Sequence, residues 1–161
     1  YRFRFADKNN VYIGKREGST LIPPSGNFAI FESGVDVGNS IPVYVTFEFT
    51  ESPNWTYIEQ EKIDQVKILV SDLRLTGEGS TPKLSATLTN RSLFTIPYVD
   101  VVAILYDASG NGITTSRTYI DVLGPEEEAG VTFTWPEAFT EKVVRTEIIP
   151  MFNIFSVKLG N

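Results

Sequence analysis

Apolar and polar side chains alternate along most of this chain, and a period of two predicts β-strands. Residues 1–5 alternate aromatic and basic side chains, and residues 43–49 alternate again. No segment carries the apolar stripe of a helix of ten or more residues. The pattern therefore predicts an all-β chain. Its strands are expected at 1–5, 11–17, 27–33, 43–49, 55–58, 66–75, 83–90, 98–106, 113–120, 129–135, 142–149 and 154–159.

The chain also repeats itself. Residues 1–49 resemble residues 101–148, with Asp7 on Asp107 and Ile13 on Ile113. The second copy is preceded by strand pattern at 65–100, whereas the first copy has no such stretch in this chain. A repeat at this spacing matches the size of an immunoglobulin-like domain. The prediction is tandem immunoglobulin-like β-sandwiches, the first lacking its N-terminal strands.

The predicted domain boundaries follow from a break in the strand pattern. Residues 1–58 are expected to form the incomplete C-terminal part of a first sandwich, and residues 65–161 a complete second sandwich. Residues 59–64 are polar and acidic, which is typical of a linker. Ile58 and Ile63 are also spaced to share one helical turn, so a short helix is the alternative there.

The composition of the 161 residues excludes several kinds of site. The chain has no Cys and no His, so it forms neither a disulfide, nor a Cys or His metal site, nor a Ser-His-Asp nucleophile system. The net charge of −6 disfavours a nucleic-acid partner, which needs a cationic track. No apolar run approaches the roughly 20 residues that span a bilayer. We expect no cofactor and no catalysis. A carboxylate-dependent hydrolase is the rival class, although nothing in the sequence holds two acids on facing elements.

The stretch from Asp107 to Gly112 has two interpretations. Oxygen-bearing residues at its first, third and fifth positions resemble the opening of a calcium loop. Thr118, however, stands where such a loop requires a bidentate Glu. Asp followed three residues later by Gly is also typical of a β-hairpin turn with a bulge. The hairpin interpretation is favoured, and metal ligands are not expected.

The second copy carries four motifs: the segment 88–92 with its Asn90-Arg91-Ser92 turn, the Leu105-Tyr106-Asp107 triplet, the loop 123–127 and the strand 131–135. Together they resemble the FxLYD family of extracytoplasmic domains. Residues 65–157 fit this pattern. The first copy fits only its later half, with Phe5-Ala6-Asp7 in place of the triplet. The resemblance implies an immunoglobulin-like sandwich on the outer side of a bacterial membrane, often behind a membrane anchor, with no catalytic residues.

The incomplete first copy predicts an interaction surface. Tyr1, Phe3 and Phe5 should face a core that the chain itself does not close, beside an open sheet edge. An upstream segment, a second copy of the chain or a strand donated by a partner would fill the gap. Trp55 and Trp135 are the weaker candidates, as an aromatic platform for a ligand, although a core cap is the plainer role for Trp135.

These observations predict a non-catalytic cell-envelope module that serves as a spacer or a protein-interaction domain. It would be extracytoplasmic and anchored to the membrane in the natural full-length protein, through an anchor absent from this chain. Its expected partner is another protein or a second copy of itself, bound through the first domain. The alternatives are a carbohydrate-binding module and a structural subunit assembled by strand exchange.

Overall fold

A computed structural model describes residues 1–159, and nearly all of its regular structure is β, which confirms the predicted fold class. The chain divides into two compact units. Unit 1 comprises Tyr1–Ile22 and Ile30–Tyr57. Unit 2 comprises Pro23–Ala29 and the chain from Ile58 onward. A short piece of the first repeat therefore belongs to the second unit.

Unit 1 is built on a single three-stranded sheet. Its strands are β1 (Arg2–Ala6), β2 (Tyr12–Glu17) and β3 (Tyr44–Glu48), in the antiparallel order β2-β1-β3. The alternation read from the sequence holds, because Phe3 lies opposite Phe47 on one face and Arg2 lies opposite Glu48 on the other. No residue of unit 1 is fully buried, so this unit has no closed core within the described chain.

Unit 2 is a two-layered β-sandwich preceded by a short helix. One sheet has the order β4-β5-β8, and the other has β6 between β7 and β9, with β10 pairing to the start of β6. The elements are α1 (Gln60–Gln65), β4 (Ile68–Thr76), β5 (Lys83–Asn90), β6 (Phe94–Tyr106), β7 (Gly112–Leu123), β8 (Glu128–Thr134), β9 (Arg145–Met151), a 3-10 turn (Ile154–Ser156) and β10 (Lys158–Leu159).

The core of unit 2 lies between its two sheets. Alternate residues of β5 and β6 point inward, and all of them are buried in one cluster with Phe133 of β8. Fully burying each large apolar side chain contributes about 1.5–3 kcal/mol, so this cluster is the main source of the unit's stability. The inward residues of the two central strands are Leu84, Ala86, Leu88, Val99, Val101, Ala103 and Leu105.

The two Asp turns of the repeat have the same hydrogen bonds. Asp7 Oδ1 accepts from the backbone N–H of Asn9 (2.8 Å) and Val11 (2.9 Å). Asp107 Oδ1 accepts from the N–H of Ser109 and Asn111, both at 2.8 Å. These bonds hold an Asx-type hairpin turn, which is the interpretation favoured from the sequence over a calcium loop. The pKa of Asp107 is lowered, mainly by its hydrogen bond from the Asn111 side chain.

The strands around the two turns correspond as well. β1 pairs with β2 and β3 as the end of β6 pairs with β7 and β9. Val43 N–H donates to Ala6 O at 2.9 Å, and Val144 N–H donates to Tyr106 O at the same distance. Unit 1 thus contains counterparts of β6, β7 and β9. Within residues 1–159 it has no counterpart of the β4–β5 hairpin.

The strand predicted at 27–33 is wrong, because no ladder forms there. In unit 2, the same chain position is taken by β8, which pairs with β5 along its whole length. A strand needs a neighbouring strand to accept and donate its backbone hydrogen bonds. Unit 1 offers no such neighbour among the described residues, so residues 30–37 form no ladder, and Gly34 within them has φ +63°.

Three further elements differ from the expectation. Residues 55–58 form no strand, and the predicted linker carries helix α1. Side-chain hydrogen bonds four residues apart support that helix, from Gln60 Nε2 to Asp64 Oδ1 (3.0 Å) and from Gln65 Nε2 to Glu61 Oε1 (3.1 Å). The strand expected at 154–159 is a 3-10 turn followed by the two residues of β10.

The Asp107 turn yields a stability prediction. Gly110 has φ +83°, a left-handed conformation that costs a residue with a Cβ about 1 kcal/mol. Gly110→Ala should therefore lower the free energy of unfolding of unit 2 by about 1 kcal/mol in urea denaturation. Gly112→Ala is the matched control, since Gly112 has no positive φ and open space around its Cβ position. Equal effects of the two substitutions would contradict the prediction.

Candidate functional site

The apolar side of the unit 1 sheet is the candidate site. We call it the open face, and it is formed by Tyr1, Phe3, Phe5, Val45, Phe47 and Phe49. Four of these rings touch in a chain, with centroid distances of 5.8 Å for Tyr1 and Phe3, 5.2 Å for Phe3 and Phe47, and 5.0 Å for Phe47 and Phe49. Phe47 and Phe49 remain 44% and 47% exposed.

Residues 30–37 shield one side of the open face. Val37 lies over Gly14 of β2, 3.5 Å from the position that a Cβ at residue 14 would occupy. Gly14 is the β2 partner of Phe5. The Tyr1 hydroxyl donates to the Glu32 carboxylate, which also pairs with Arg16 at 2.7 Å. Phe3 and Phe5 are therefore half-buried, whereas the β3 side of the face is exposed.

The three residues predicted from the sequence all lie on this face, and the structure adds Val45 and Phe47 of β3 and Phe49 just after it. Tyr1, Phe3 and Phe5 were found because they alternate at the start of the chain. Residues 43–49 alternate as clearly as residues 1–5. That Phe47 lies beside Phe3 on the same face is visible only from the β1–β3 pairing. β3 is also an edge strand, since no other strand of residues 1–159 pairs with its outer side.

The opposite side of the same sheet is an ion-pair network. Arg2 pairs with Glu17 (2.6 Å) and Glu48 (2.9 Å), and Arg4 shares Glu48 at 3.0 Å. Lys15 adds a contact to Glu17 at 2.7 Å. These basic side chains are therefore interleaved with carboxylates across three strands. This polar face is suited to solvent, which leaves the open face as the apolar surface of unit 1.

The network makes a prediction about titration. The hydrogen bonds from Lys15 and then Arg2 lower the pKa of Glu17 from 4.5 to about 2. Because the folded pKa is depressed, these contacts stabilise unit 1 above pH 4.5, and the effect is lost as the pH falls towards 2. Lys15→Ala should raise the pKa of Glu17, which carbon NMR of its carboxyl group measures as a titration midpoint. Lys8→Ala, at the far end of the β1–β2 hairpin, should leave that midpoint unchanged, and an unmoved midpoint in Lys15→Ala would refute the assignment.

Comparisons with known proteins give similarity of fold only. No protein-family model matches the sequence, and no curated protein matches it. The chain is similar to the crystal structure of a DUF1425 family member from Shewanella, with 19% identity over 53% of this chain and 78% of that one, at a TM-score of 0.41.

It is also similar to a CARDB domain from Pyrococcus furiosus, solved in complex with di-metal ions. That similarity has 13% identity, covers 66% of this chain and 98% of that domain, and has a TM-score of 0.34. Both TM-scores are below 0.5, so neither similarity supports an assignment of function.

The two tryptophans occupy different settings. Trp135 packs against the core of unit 2, contacts Phe139 edge-to-face at 5.3 Å, and donates its indole N–H to the Thr115 carbonyl at 3.3 Å. This is the core-cap role considered from the sequence. Trp55 is 77% exposed in a stretch of unit 1 without regular structure, and Tyr57 beside it is exposed too.

Residues 23–29 form a contact that the sequence did not reveal. Asn27 Nδ2 donates to Glu147 Oε1 at 2.9 Å, and Ala29 N–H approaches Met151 Sδ at 3.2 Å. These anchors flank Ile149 on the outer side of β9. Ile149 and its partner Val102 are buried, although they point away from the main core. The segment therefore covers a second apolar patch of unit 2.

Glu147 is the polar centre of that contact. It accepts from the Tyr106 hydroxyl at 2.9 Å, and Arg145 pairs with it at 3.1 Å. Its pKa is lowered, first by the Tyr106 hydroxyl and then by the Asn27 amide. The Arg145 guanidinium also lies 3.5 Å above the Tyr106 ring, a cation–π geometry. Each group has a structural partner, so the cluster serves to hold residues 23–29.

The remaining chemistry of the described residues is sparse. Within residues 1–159, no three acidic side chains come together in a metal-binding group. A depression of about 420 Å³ near the first Asp turn is lined by Lys8, Asn9, Asn10 and Tyr44, and it contains no carboxylate. No helix of the described chain is both long and apolar enough to span a membrane.

Proposed function

We propose that this chain is a non-catalytic protein-interaction module whose binding surface is the open face of unit 1. The observation that carries the proposal is the contrast between the two sides of one sheet. One side neutralises its charges internally, while the other carries four connected aromatic rings, of which Phe47 and Phe49 are 44% and 47% exposed. Exposed apolar patches of this kind mark interaction sites, since water contact with them is unfavourable.

Aromatic side chains strengthen this proposal. Phe and Tyr contribute large contact areas at a low cost in side-chain entropy, and they are enriched at the centres of protein interfaces. The rings of the open face are held by the pleat of β1 and β3 and by each other, so little order must be gained on binding. Unit 2, with its closed core, is the stable body of the module.

The proposed location is the outer side of a bacterial membrane, behind an anchor outside this chain. The support is the resemblance of residues 65–157 to FxLYD domains. The test is protease treatment of intact cells that make the protein. Digestion from outside is expected, and complete protection until the cells are lysed would contradict the location.

Site-specific photo-crosslinking tests the interaction itself. A benzophenone amino acid replaces Phe47 on the open face, and the control places it at Tyr98, an exposed ring of unit 2. After irradiation of cells that make the protein, a discrete adduct is expected from position 47 and not from position 98. No adduct at 47, or the same adducts from both positions, would overturn the proposed function.

A further inference from the structure

We propose that Asn111 is a self-modification site, at which the side chain cyclises onto the backbone nitrogen of Gly112 and becomes aspartate or isoaspartate. The conversion needs water as its only co-reactant and no enzyme. Asp107 sets its rate, because the carboxylate of that residue holds the reacting amide. The site lies in the Asp107 turn of unit 2 and not on the open face, so this inference is independent of the proposed function.

The chemistry comes from two residues that are adjacent in the sequence. Asn is a thermolabile side chain, and Asn111 is the only Asn of the chain that a Gly follows. The Gly112 nitrogen loses its proton and attacks the Asn111 side-chain carbon Cγ, which closes a succinimide ring. The side-chain NH₂ leaves with that proton as ammonia. Water then opens the ring at one of its two carbonyls, which gives aspartate or isoaspartate.

The structure leaves the attacking nitrogen accessible. Asn111 and Gly112 are both exposed, and Gly112 is the first residue of β7. Apart from its chain neighbours, no heavy atom of residues 1–159 lies within 4 Å of the position that a Cβ at Gly112 would occupy. Because Gly has no Cβ of its own, nothing crowds the approach of the Asn111 side chain to this nitrogen.

Asp107 restrains the same side chain. Asn111 Nδ2 donates to Asp107 Oδ2 at 2.9 Å, and the Asn111 backbone N–H donates to Asp107 Oδ1 at 2.8 Å. The Asn111 carbonyl accepts from the Asp107 backbone N–H at 3.0 Å. Ring closure turns the amide away from the carboxylate and rotates the Asn111–Gly112 peptide. It therefore competes with these bonds, of which those to the charged carboxylate are the strongest.

The Asp7 turn of unit 1 is an internal comparison. Asp7 makes the same backbone hydrogen bonds, but Val11 occupies the position of Asn111, so the reactive side chain is absent there. The neighbouring Asn10 is exposed as well, yet it is followed by Val11. The stiff, β-branched Val side chain crowds the nitrogen that would have to attack. Of the two turns, only the one in unit 2 is therefore expected to change.

The conversion should weaken the Asp107 turn. It places a carboxylate at position 111, where the amide donated to Asp107 Oδ2, so a hydrogen bond is replaced by two like charges. Isoaspartate also lengthens the backbone by one carbon between the turn and β7. The Asn111 side chain is the largest cause of the lowered pKa of Asp107, so this pKa should rise after conversion. Carbon NMR of the Asp107 carboxyl measures the change, and an unmoved pKa would contradict the expected effect on the turn.

Peptide mass spectrometry after incubation in mildly alkaline buffer tests the proposal. Cleavage after Lys and Arg places Asn111 in residues 92–117, as the only Asn there, and Asn10 in residues 9–15. The first peptide should gain the mass that replaces NH₂ by OH and should separate into aspartate and isoaspartate forms. The second should stay unchanged, and an unincubated sample gives the background. If Asn111 stays intact for as long as Asn10, the proposal is wrong.

Two variants of the full chain test the mechanism. Gly112→Ala should suppress the conversion, because the added methyl group crowds the attacking nitrogen while the fold has space for it. Asp107→Asn keeps Oδ1 for the backbone of the turn but cannot accept from the Asn111 amide through its second atom. Conversion at Asn111 should then be about tenfold faster, the factor that corresponds to one hydrogen bond to a charged group.

Tandem mass spectrometry locates each change at position 111, and unaltered tryptophan emission shows that unit 2 of the variant is folded. Conversion of Gly112→Ala at the natural rate would overturn the cyclisation onto Gly112. A folded Asp107→Asn variant that converts no faster than the natural chain would overturn the restraint by Asp107. Neither result would alter the photo-crosslinking expected at Phe47, which tests the proposed function separately.

Discussion

Asn90→Ala is expected to lower the free energy of unfolding of unit 2 by about 4 kcal/mol, because it removes the centre of a buried hydrogen-bond network. Asn90 is 0% exposed. Its Nδ2 donates to the carbonyls of Phe94 (2.6 Å), Leu123 (3.2 Å) and Gly124 (2.7 Å). Its Oδ1 accepts from the Ser92 hydroxyl at 2.6 Å. Truncation to Ala would leave these carbonyls and the Ser92 hydroxyl without the Asn90 side chain as their hydrogen-bond partner.

Urea unfolding followed by tryptophan emission measures this effect. A Trp55→Phe background leaves Trp135, which packs on the unit 2 core, as the single indole reporter. Asn111→Ala is the matched control, because its exposed amide makes a hydrogen bond only to Asp107 in the turn. Asn111→Ala should lower the free energy of unfolding of unit 2 by less than about 1 kcal/mol. A similar midpoint for both variants would show that the network contributes little.

Asn90→Asp separates hydrogen bonding from volume. The two side chains have nearly the same size, but a carboxylate cannot donate to three carbonyl oxygens. The buried site should raise the pKa of this new carboxyl, so its charged form opposes folding. Stability relative to the natural chain should be lost as the pH rises from about 4 to 7. A variant as stable as the natural chain at pH 7 would argue that packing alone matters.

Phe133→Ala should cost about 3–5 kcal/mol of unit 2 stability, because it opens a cavity in the only closed core of the described chain. Phe133 is 1% exposed and lies opposite Leu84, between the two sheets. Its removal takes apolar contacts from both layers of the sandwich. The surrounding strands are fixed by their ladders, so the cavity cannot collapse fully.

The same urea assay measures this cost. Phe155→Ala is the control, since Phe155 lies in the 3-10 turn and is 53% exposed. The control should cost about 1 kcal/mol or less, because truncating a half-exposed ring leaves no enclosed cavity. Comparable losses in the two variants would contradict the position of the core between the sheets.

Local patterns were predictable because local chemistry determines them. The Asp7 and Asp107 turns were readable from the residue types, since an Asp side chain caps its own turn and Gly or Asn accepts a left-handed φ. Asn90 was interpreted as a turn residue, and its role in the Asn90–Ser92 turn fits that interpretation. Its complete burial was not visible from the chain alone.

Other features depended on partners distant in sequence. Residues 27–33 have a strand composition, yet no strand forms, because a ladder requires a second strand that the pattern of one segment cannot guarantee. Ile22-Pro23-Pro24 lie near Leu123-Gly124-Pro125 when the two copies are aligned. Residues 23–29 nevertheless belong to unit 2 and pack on β9, through Asn27 and Glu147, which are 120 positions apart.

The sequence by itself determined the β class, the repeat, the two hairpin turns and the alternation that places Tyr1, Phe3 and Phe5 on one side of a strand. Those features follow from backbone geometry and from side-chain chemistry within a few residues. Only the tertiary structure decided which sheet face became a core and which stayed open. Burial depends on a second layer being present, and unit 2 has that layer whereas unit 1, within residues 1–159, does not.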